Sequence, residues 1–261
     1  MIGRLVVAAL LVFLTLPTVV VIVASFNPTA ILAFPPDGLS LRWYANALSY
    51  PQFQRAAVNS VVVTGIAASL ALPVGTAAAL ALVRRRVPGR PVLDALLLSP
   101  LVVPGVAAGL GFLILAARLD ILTSRAVLIA AHVILVLPFV VRSVAVSVAN
   151  LDPALERAAE SLGASPGRVF RRVTLPLLRP GLVAGLLFAV LVSVNEFVVS
   201  LFISTRVTEI LPVAMFTYVV NYTDPTMAAL SALFIAATLV AVVVADRLLD
   251  LSRVFQIDGH R

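Results

Sequence analysis

Asp152-Pro153-Ala154-Leu155-Glu156-Arg157-Ala158-Ala159-Glu160-Ser161-Leu162-Gly163-Ala164-Ser165-Pro166 is a charged, helix-patterned stretch set between long apolar runs. Asp152 is placed to cap a helix that starts at Pro153, and Gly163 is placed to end it. Leu155, Ala158, Ala159 and Leu162 fall at i, i+3, i+4 and i+7, which makes one small apolar face. Ser165-Pro166 repeats the cap-and-start signal, and Leu175-Pro176 is expected to stop the second helix. Residues 149–181 therefore read as a hydrophilic helical hairpin with a flat, alanine-surfaced face. Such a face suits a partner's cleft; folding back on the chain's own helices is the competing reading.

Outward from this loop the chain is strongly apolar. Its 261 residues are 61% hydrophobic and 12% charged, with a mean hydropathy of +1.11, where soluble domains carry about 25% charged residues. That composition excludes a soluble globular protein. Six runs are long and apolar enough to cross a bilayer as helices, about 5–26, 57–82, 92–117, 126–148, 182–203 and 228–249, each near the roughly 20 residues a span needs. Helices are expected because an isolated strand in lipid leaves its backbone groups unpaired. Val23-Ala24-Ser25 looks like a signal-peptide cleavage site, but the preceding apolar run is longer than a signal core, so it reads as a retained first span. The fold class is accordingly all-α and polytopic, one transmembrane domain over residues 1–261.

The arginines set the orientation. They gather in the N-terminal segment, the second and fourth loops and the C-terminal segment, leaving five in the first, third and fifth loops. Both termini and the 149–181 loop are thus expected on the cytoplasmic side, with Arg84-Arg85-Arg86 as a topology signal. A pI near 11 does not point to nucleic acid, because these charges sit between apolar runs rather than on one solvated surface. Residues 27–56, with Trp43 and Tyr44, read as a turn followed by an interfacial aromatic segment. Residues 204–227 hold an apolar stretch too short to span, which lies at the outer interface, dips back in, or packs as a loop.

Several chemistries are excluded. Every basic residue other than the two histidines is arginine, so no lysine is present for a Walker A loop or a Schiff base. There is no cysteine, and His132 and His260 cannot build a multi-histidine metal site in one chain. A membrane-embedded enzyme would want paired carboxylates or a His/Ser constellation in the spans. An ion-coupled secondary transporter would show inverted repeats, and no repeat is visible.

The stretch Glu156 to Ser165, followed by Arg171-Arg172-Val173-Thr174-Leu175-Pro176, resembles the cytoplasmic EAA loop of binding-protein-dependent ABC importer permeases of the type I fold. Ala158, Ala159, Gly163, Leu175 and Pro176 match that motif. Arg157 occupies the place of its glutamate and Glu156 stands one position earlier, a rotation of about 100° on a helix. The resemblance implies a six-span permease of the bacterial cytoplasmic (inner) membrane. It also implies that Glu156, Arg157, Ala158, Ala159, Glu160, Leu162, Gly163, Ala164 and Ser165 form a coupling helix docked on an ABC ATPase dimer, which holds the ATP and Mg. This chain would carry no cofactor and perform no covalent chemistry. A second homologous permease subunit and a periplasmic or lipid-anchored solute-binding protein complete the implied assembly, and Arg168, Arg171 and Arg172 would meet either ATPase acids or anionic lipid.

Charges inside spans are costly and default to functional readings. Glu196 and Asn195 in the fifth run, His132 in the fourth and Asn59 in the second fall at similar depth toward the outer side, a candidate lining for a translocation path. Packing readings stand beside it: an interhelical hydrogen bond for Asn59, a satisfied histidine for His132, an ion pair for Glu196. The segment Val194 to Ser200, with Leu211-Pro212 and Asp224-Pro225-Thr226, is similar to the second permease of the spermidine/putrescine importer group. That likeness implies a polyamine or related amine as solute, with opines, aminophosphonates or other small organic ions as alternatives.

Overall fold

The computed structural model describes residues 2–31, 34–84, 87–122 and 124–249; Arg85, Arg86 and His260 lie outside the described residues. These residues form helices and connecting loops, with no strand among them. In chain order the helices are α1 (Ile2–Ala24), α2 (Arg42–Ser49), α3 (Pro51–Arg84), α4 (Arg90–Leu98), α5 (Gly105–Arg118), α6 (Arg125–Ala149), α7 (Pro153–Ser161), α8 (Pro166–Val169), α9 (Leu175–Leu177), α10 (Arg179–Val194), α11 (Val198–Ile203), α12 (Leu211–Asn221) and α13 (Thr226–Leu249). Of these, α1, α3 and α6 are each long and apolar enough to cross a membrane alone. The described residues divide into two compact units, those of 2–58 with 210–244, and those of 59–209 with 245–249.

In the first unit the aromatic segment of residues 27–56, read from sequence as interfacial, and residues 210–227 of the stretch for which an interfacial, a re-entrant and a packed reading stood open, hold the packed helices α2 and α12. Trp43 of α2 is buried and its indole N–H donates to the Asn27 carbonyl at 2.7 Å, while the Tyr44 hydroxyl lies 2.6 Å from that of Ser25. Asn46 donates to Thr226 at 2.8 Å. Tyr50 and Phe53 meet Tyr218 of α12 at ring-centroid distances of 5.3 and 5.1 Å, around a core that includes Ala47, Ala56, Ala214 and Leu230. α12 starts at Leu211-Pro212, where a missing proline N–H costs nothing. By contrast α1 is exposed along most of its length, as a lipid-facing helix would be, and its Thr15 hydroxyl bonds back to Leu11 O at 2.8 Å, which pairs that group within the helix.

The second unit is built on α6. Val136, Val140, Val144 and Val148 recur every fourth residue and are buried against Ala68, Ala71 and Ala79 of α3 and Ala189 of α10. Small residues let the backbones approach: a Cβ at Gly75 would stand 2.6 Å from Val140 Cγ1, and one at Gly181 2.5 Å from Ser147 Oγ. Close approach of small residues is how helices associate where no hydrophobic drive separates them from lipid.

Two of the six apolar runs are not continuous helices. The run 92–117 holds α4, a 3₁₀ turn at Ser99–Leu101, and α5 turned by 100° from them. Pro100 and Pro104 lack the N–H that would continue the ladder, and the N–H groups of Val102 and Val103 turn back to Ser99 O instead, both at 3.0 Å. The run 182–203 is interrupted at residues 195–197, between α10 and α11. The second hairpin helix also differs from expectation, because Leu175-Pro176 does not stop it. α8 passes through a π-helical segment, Phe170–Thr174, into α9; the wider turn lets Leu175 N–H reach Phe170 O, and Pro176 falls at the start of the next turn, where its missing donor is tolerated. The direction changes later, by 64° into α10, next to Pro180.

Candidate functional site

The loop between α6 and α10 has the caps read from its sequence. Asp152 Oδ1 accepts the Ala154 N–H at 2.8 Å, and Pro153 opens α7. Gly163 sits at φ +84°. Its N–H reaches Glu160 O at 2.9 Å and that of Ala164 reaches Ala159 O at 3.1 Å, the bond pair of a Schellman C-cap. Ser165 begins α8 through its carbonyl and backbone geometry, without a side-chain cap bond.

The apolar face of this hairpin is left open. Leu162 is 89% and Leu155 49% exposed, and Arg157, Ala158, Glu160, Gly163 and Ser165 are exposed beside them, with Ala159 and Ala164 partly so. The opposite side is anchored by buried Val169 and Thr174. Glu156 also turns inward. Its Oε1 accepts from Arg84 Nη1, at the end of α3, at 2.9 Å and from the Thr174 hydroxyl. One carboxylate thus ties α3, α7 and the π-helical segment together. Burial alone would push the Glu156 carboxyl up; the Thr174 hydrogen bond and the Arg84 guanidinium outweigh it and hold it below the ordinary carboxylate value. The tie is therefore at full strength above the ordinary carboxylate range and weakens as pH falls through the lowered value. The one-residue offset from the motif glutamate accounts for this division: Glu156 faces α3, while Arg157 is exposed.

The four polar residues read as a path lining separate into two pairs. His132 is 1% exposed, with Nδ1 2.7 Å from Ser193 Oγ and Nε2 3.0 Å from Ser200 Oγ. Thr64 Oγ1 lies 2.9 Å from the same Ser193 hydroxyl, so a single network joins α3, α6, α10 and α11. Asn59 is buried and donates to Val207 O at 2.8 Å and Glu209 O at 2.9 Å. Both residues are enclosed and satisfied within the chain. Asn195 and Glu196 occupy the break between α10 and α11, Asn195 exposed and Glu196 partly so. The Asn195 amide bonds back to Leu191 O at 2.8 Å, and Glu196 Oε1 accepts the Val199 N–H at 2.6 Å, capping α11. Glu196 forms no ion pair among the described residues. Interrupted helix at membrane depth is tolerated where it is enclosed by protein or lines a wet cavity, and here side chains replace the lost backbone bonds.

Thr64 and Ser193 carry no signal of their own in the sequence, Ser200 stands there only as the end of the Val194 to Ser200 segment, and Arg84 reads only as part of the topology signal Arg84-Arg85-Arg86. A lone hydroxyl in an apolar run carries no periodic signal, and its partners lie 61 to 129 residues away. Arg142 is a charge inside the apolar run 126–148, and its place there is visible in the sequence.

A family model described as binding-protein-dependent transport system inner membrane component matches residues 71–253. The chain is 30% identical over 247 residues to the spermidine/putrescine transport system permease protein PotC of Escherichia coli (strain K12), covering 93% of each chain. It is 32% identical over 232 residues to the putrescine transport system permease protein PotI of the same strain, covering 86% of this chain and 82% of that one. Its fold is similar to that of a chain in the crystal structure of a bacterial alginate ABC transporter in complex with an alginate pentasaccharide-bound periplasmic protein, with a TM-score of 0.72, 15% identity, and coverage of 95% and 92%. The capped hairpin between α6 and α10, the helices around it and the match over most of its length lead to one assignment: the chain belongs to the binding-protein-dependent inner membrane components, the permeases of ABC importers.

Proposed function

We propose that this permease forms half of a translocation channel for a polyamine or related small cationic amine, delivered by a solute-binding protein on the outer face and driven by an ATPase dimer, one subunit of which docks on α7. The observation that carries the reading is the open apolar face along α7 and its C-cap, where Leu155 is 49% and Leu162 89% exposed with exposed Ala158 between them. A contiguous apolar face of that kind on a solvated loop is explained by a partner that covers it. The hairpin continues through α9 into α10, whose far end is the Asn195–Glu196 break, so a push on α7 reaches the break along one packed unit. There the carboxylate of Glu196 offers a cation an electrostatic foothold. PotC and PotI, which carry spermidine and putrescine in their names, support the solute class. Alternating access then consists of ATP closing the ATPase dimer, α7 following, and the two permease halves tilting. Both termini are cytoplasmic in this reading, and the chain itself performs no covalent step.

The chain's lack of cysteine makes the test direct. Leu162→Cys is expected to cross-link to the ATPase subunit of the assembled complex, and Tyr44→Cys to react with an impermeant maleimide from outside. Labelling of position 162 from the outside would overturn both docking and orientation, and no cross-link with the ATPase otherwise bound would overturn the docking.

A further inference from the structure

Arg142 lies inside α6, seven residues before its end at Ala149, about 10 Å along the axis. A cation at that depth is expensive unless something answers it. Arg142 is exposed, and no hydrogen bond or ion pair to it occurs among the described residues. It borders a cavity of about 260 Å³ walled by Leu82 and Val83 of α3, by Leu97 and Leu98 beside Arg90 and Asp94 of α4, and by neighbours on α6. Arg90 Nε lies 3.6 Å from Asp94 Oδ2, so those two charges offset one another and the niche keeps the positive charge of Arg142.

The wall beside it is apolar on its outer side. α4 turns by 100° from α5, so with α5 along the membrane normal α4 lies in the membrane plane, with Val92 70% and Leu96 67% exposed. An in-plane helix with an apolar exposed face and a basic start is the form of a lipid-facing interfacial element. We propose that this niche binds the headgroup phosphate of an anionic phospholipid from the cytoplasmic leaflet, Arg142 meeting the phosphate and the acyl chains running over Val92 and Leu96. The leaflet assignment rests on the orientation given under the proposed function. Charge complementarity selects the occupant, because anionic lipid is the abundant negative partner at that depth, and Asp94 is already engaged with Arg90.

The assembled transporter in nanodiscs of phosphatidylcholine, with and without phosphatidylglycerol, provides the test, with retained phosphatidylglycerol counted by native mass spectrometry. Arg142→Gln is expected to lower retention about fivefold, the effect of removing one basic residue at the surface, and to abolish thermal stabilisation by phosphatidylglycerol. Arg142→Lys is expected to keep most of both. Equal retention by the wild type and Arg142→Gln would overturn the proposal. So would equal stabilisation of the wild type by inorganic phosphate in phosphatidylcholine alone, which would make the ligand a free anion. Loss of the second permease subunit from the Arg142→Gln complex would also overturn it, assigning the residue to a subunit interface. Lipid retention is read independently of Tyr44→Cys labelling, so a failed orientation and a failed lipid site give different results.

Discussion

Replacing Gly163 with valine is expected to cut transport by at least an order of magnitude while the protein still inserts and folds its spans. Gly163 holds φ +84°, yet a Cβ there would meet nothing within 4 Å. The penalty is therefore one of backbone conformation and not of packing. Left-handed geometry costs an ordinary residue roughly 1–2 kcal/mol, and a β-branched one more. About 2 kcal/mol shifts the population of the intact cap by a factor of roughly thirty. The two bonds that close the Schellman cap would be lost with it, so that Leu162 and Ala164 no longer present one surface. Asparagine tolerates the left-handed region, so Gly163→Asn is expected to keep most activity. Co-purification of the ATPase and solute uptake, measured on both variants, check the result. Equal loss in both would point to crowding at position 163 and against the cap.

The second large effect is at Glu196. Glu196→Gln keeps an acceptor for the Val199 N–H and removes the charge. Because Glu196 has no ion-pair partner among the described residues, no buried cation is stranded. The loss of stability is expected to stay within about 1 kcal/mol, the scale of a charge at a helix N-terminus. A cation about 5 Å from the carboxylate gains roughly 3 kcal/mol at an effective dielectric of ~20, which is about two orders of magnitude in local occupancy. Transport of a cationic amine is therefore expected to fall tens-fold with assembly and thermal stability near normal. Unchanged transport would remove Glu196 from the path. A large drop in melting temperature would make it a structural cap alone.

What could be read in advance follows from where the physical signal resides. Asp152, Pro153 and Gly163 act within a few residues of themselves, so the start and end of α7 were legible. The apolar runs were legible because lipid demands them. Their interruptions carried local marks, Pro100 and Pro104 at the first and the polar pair Asn195-Glu196 at the second, but a window of mean hydropathy averages over a few such residues, so each run still read as one span. Pro176 misled for a related reason, since its missing donor is absorbed by the π-helical turn before it. The partners of His132 and Glu156 were hidden by chain separation, Ser193 lying 61 residues and Arg84 72 residues away. Depth along a run placed Asn59, His132 and Glu196 at one level, but only tertiary packing decides which are enclosed: the hydroxyls of Ser193 and Ser200 around His132, and the carbonyls of Val207 and Glu209 around Asn59.

Uptake of labelled putrescine by the reconstituted complex, with ATP enclosed on the side of α7 and the binding protein on the other, tests the central claim most directly. The account predicts uptake that requires both ATP and the binding protein and disappears with Gly163→Val. Uptake that continues at the same rate without ATP, driven by an ion gradient alone, would contradict it.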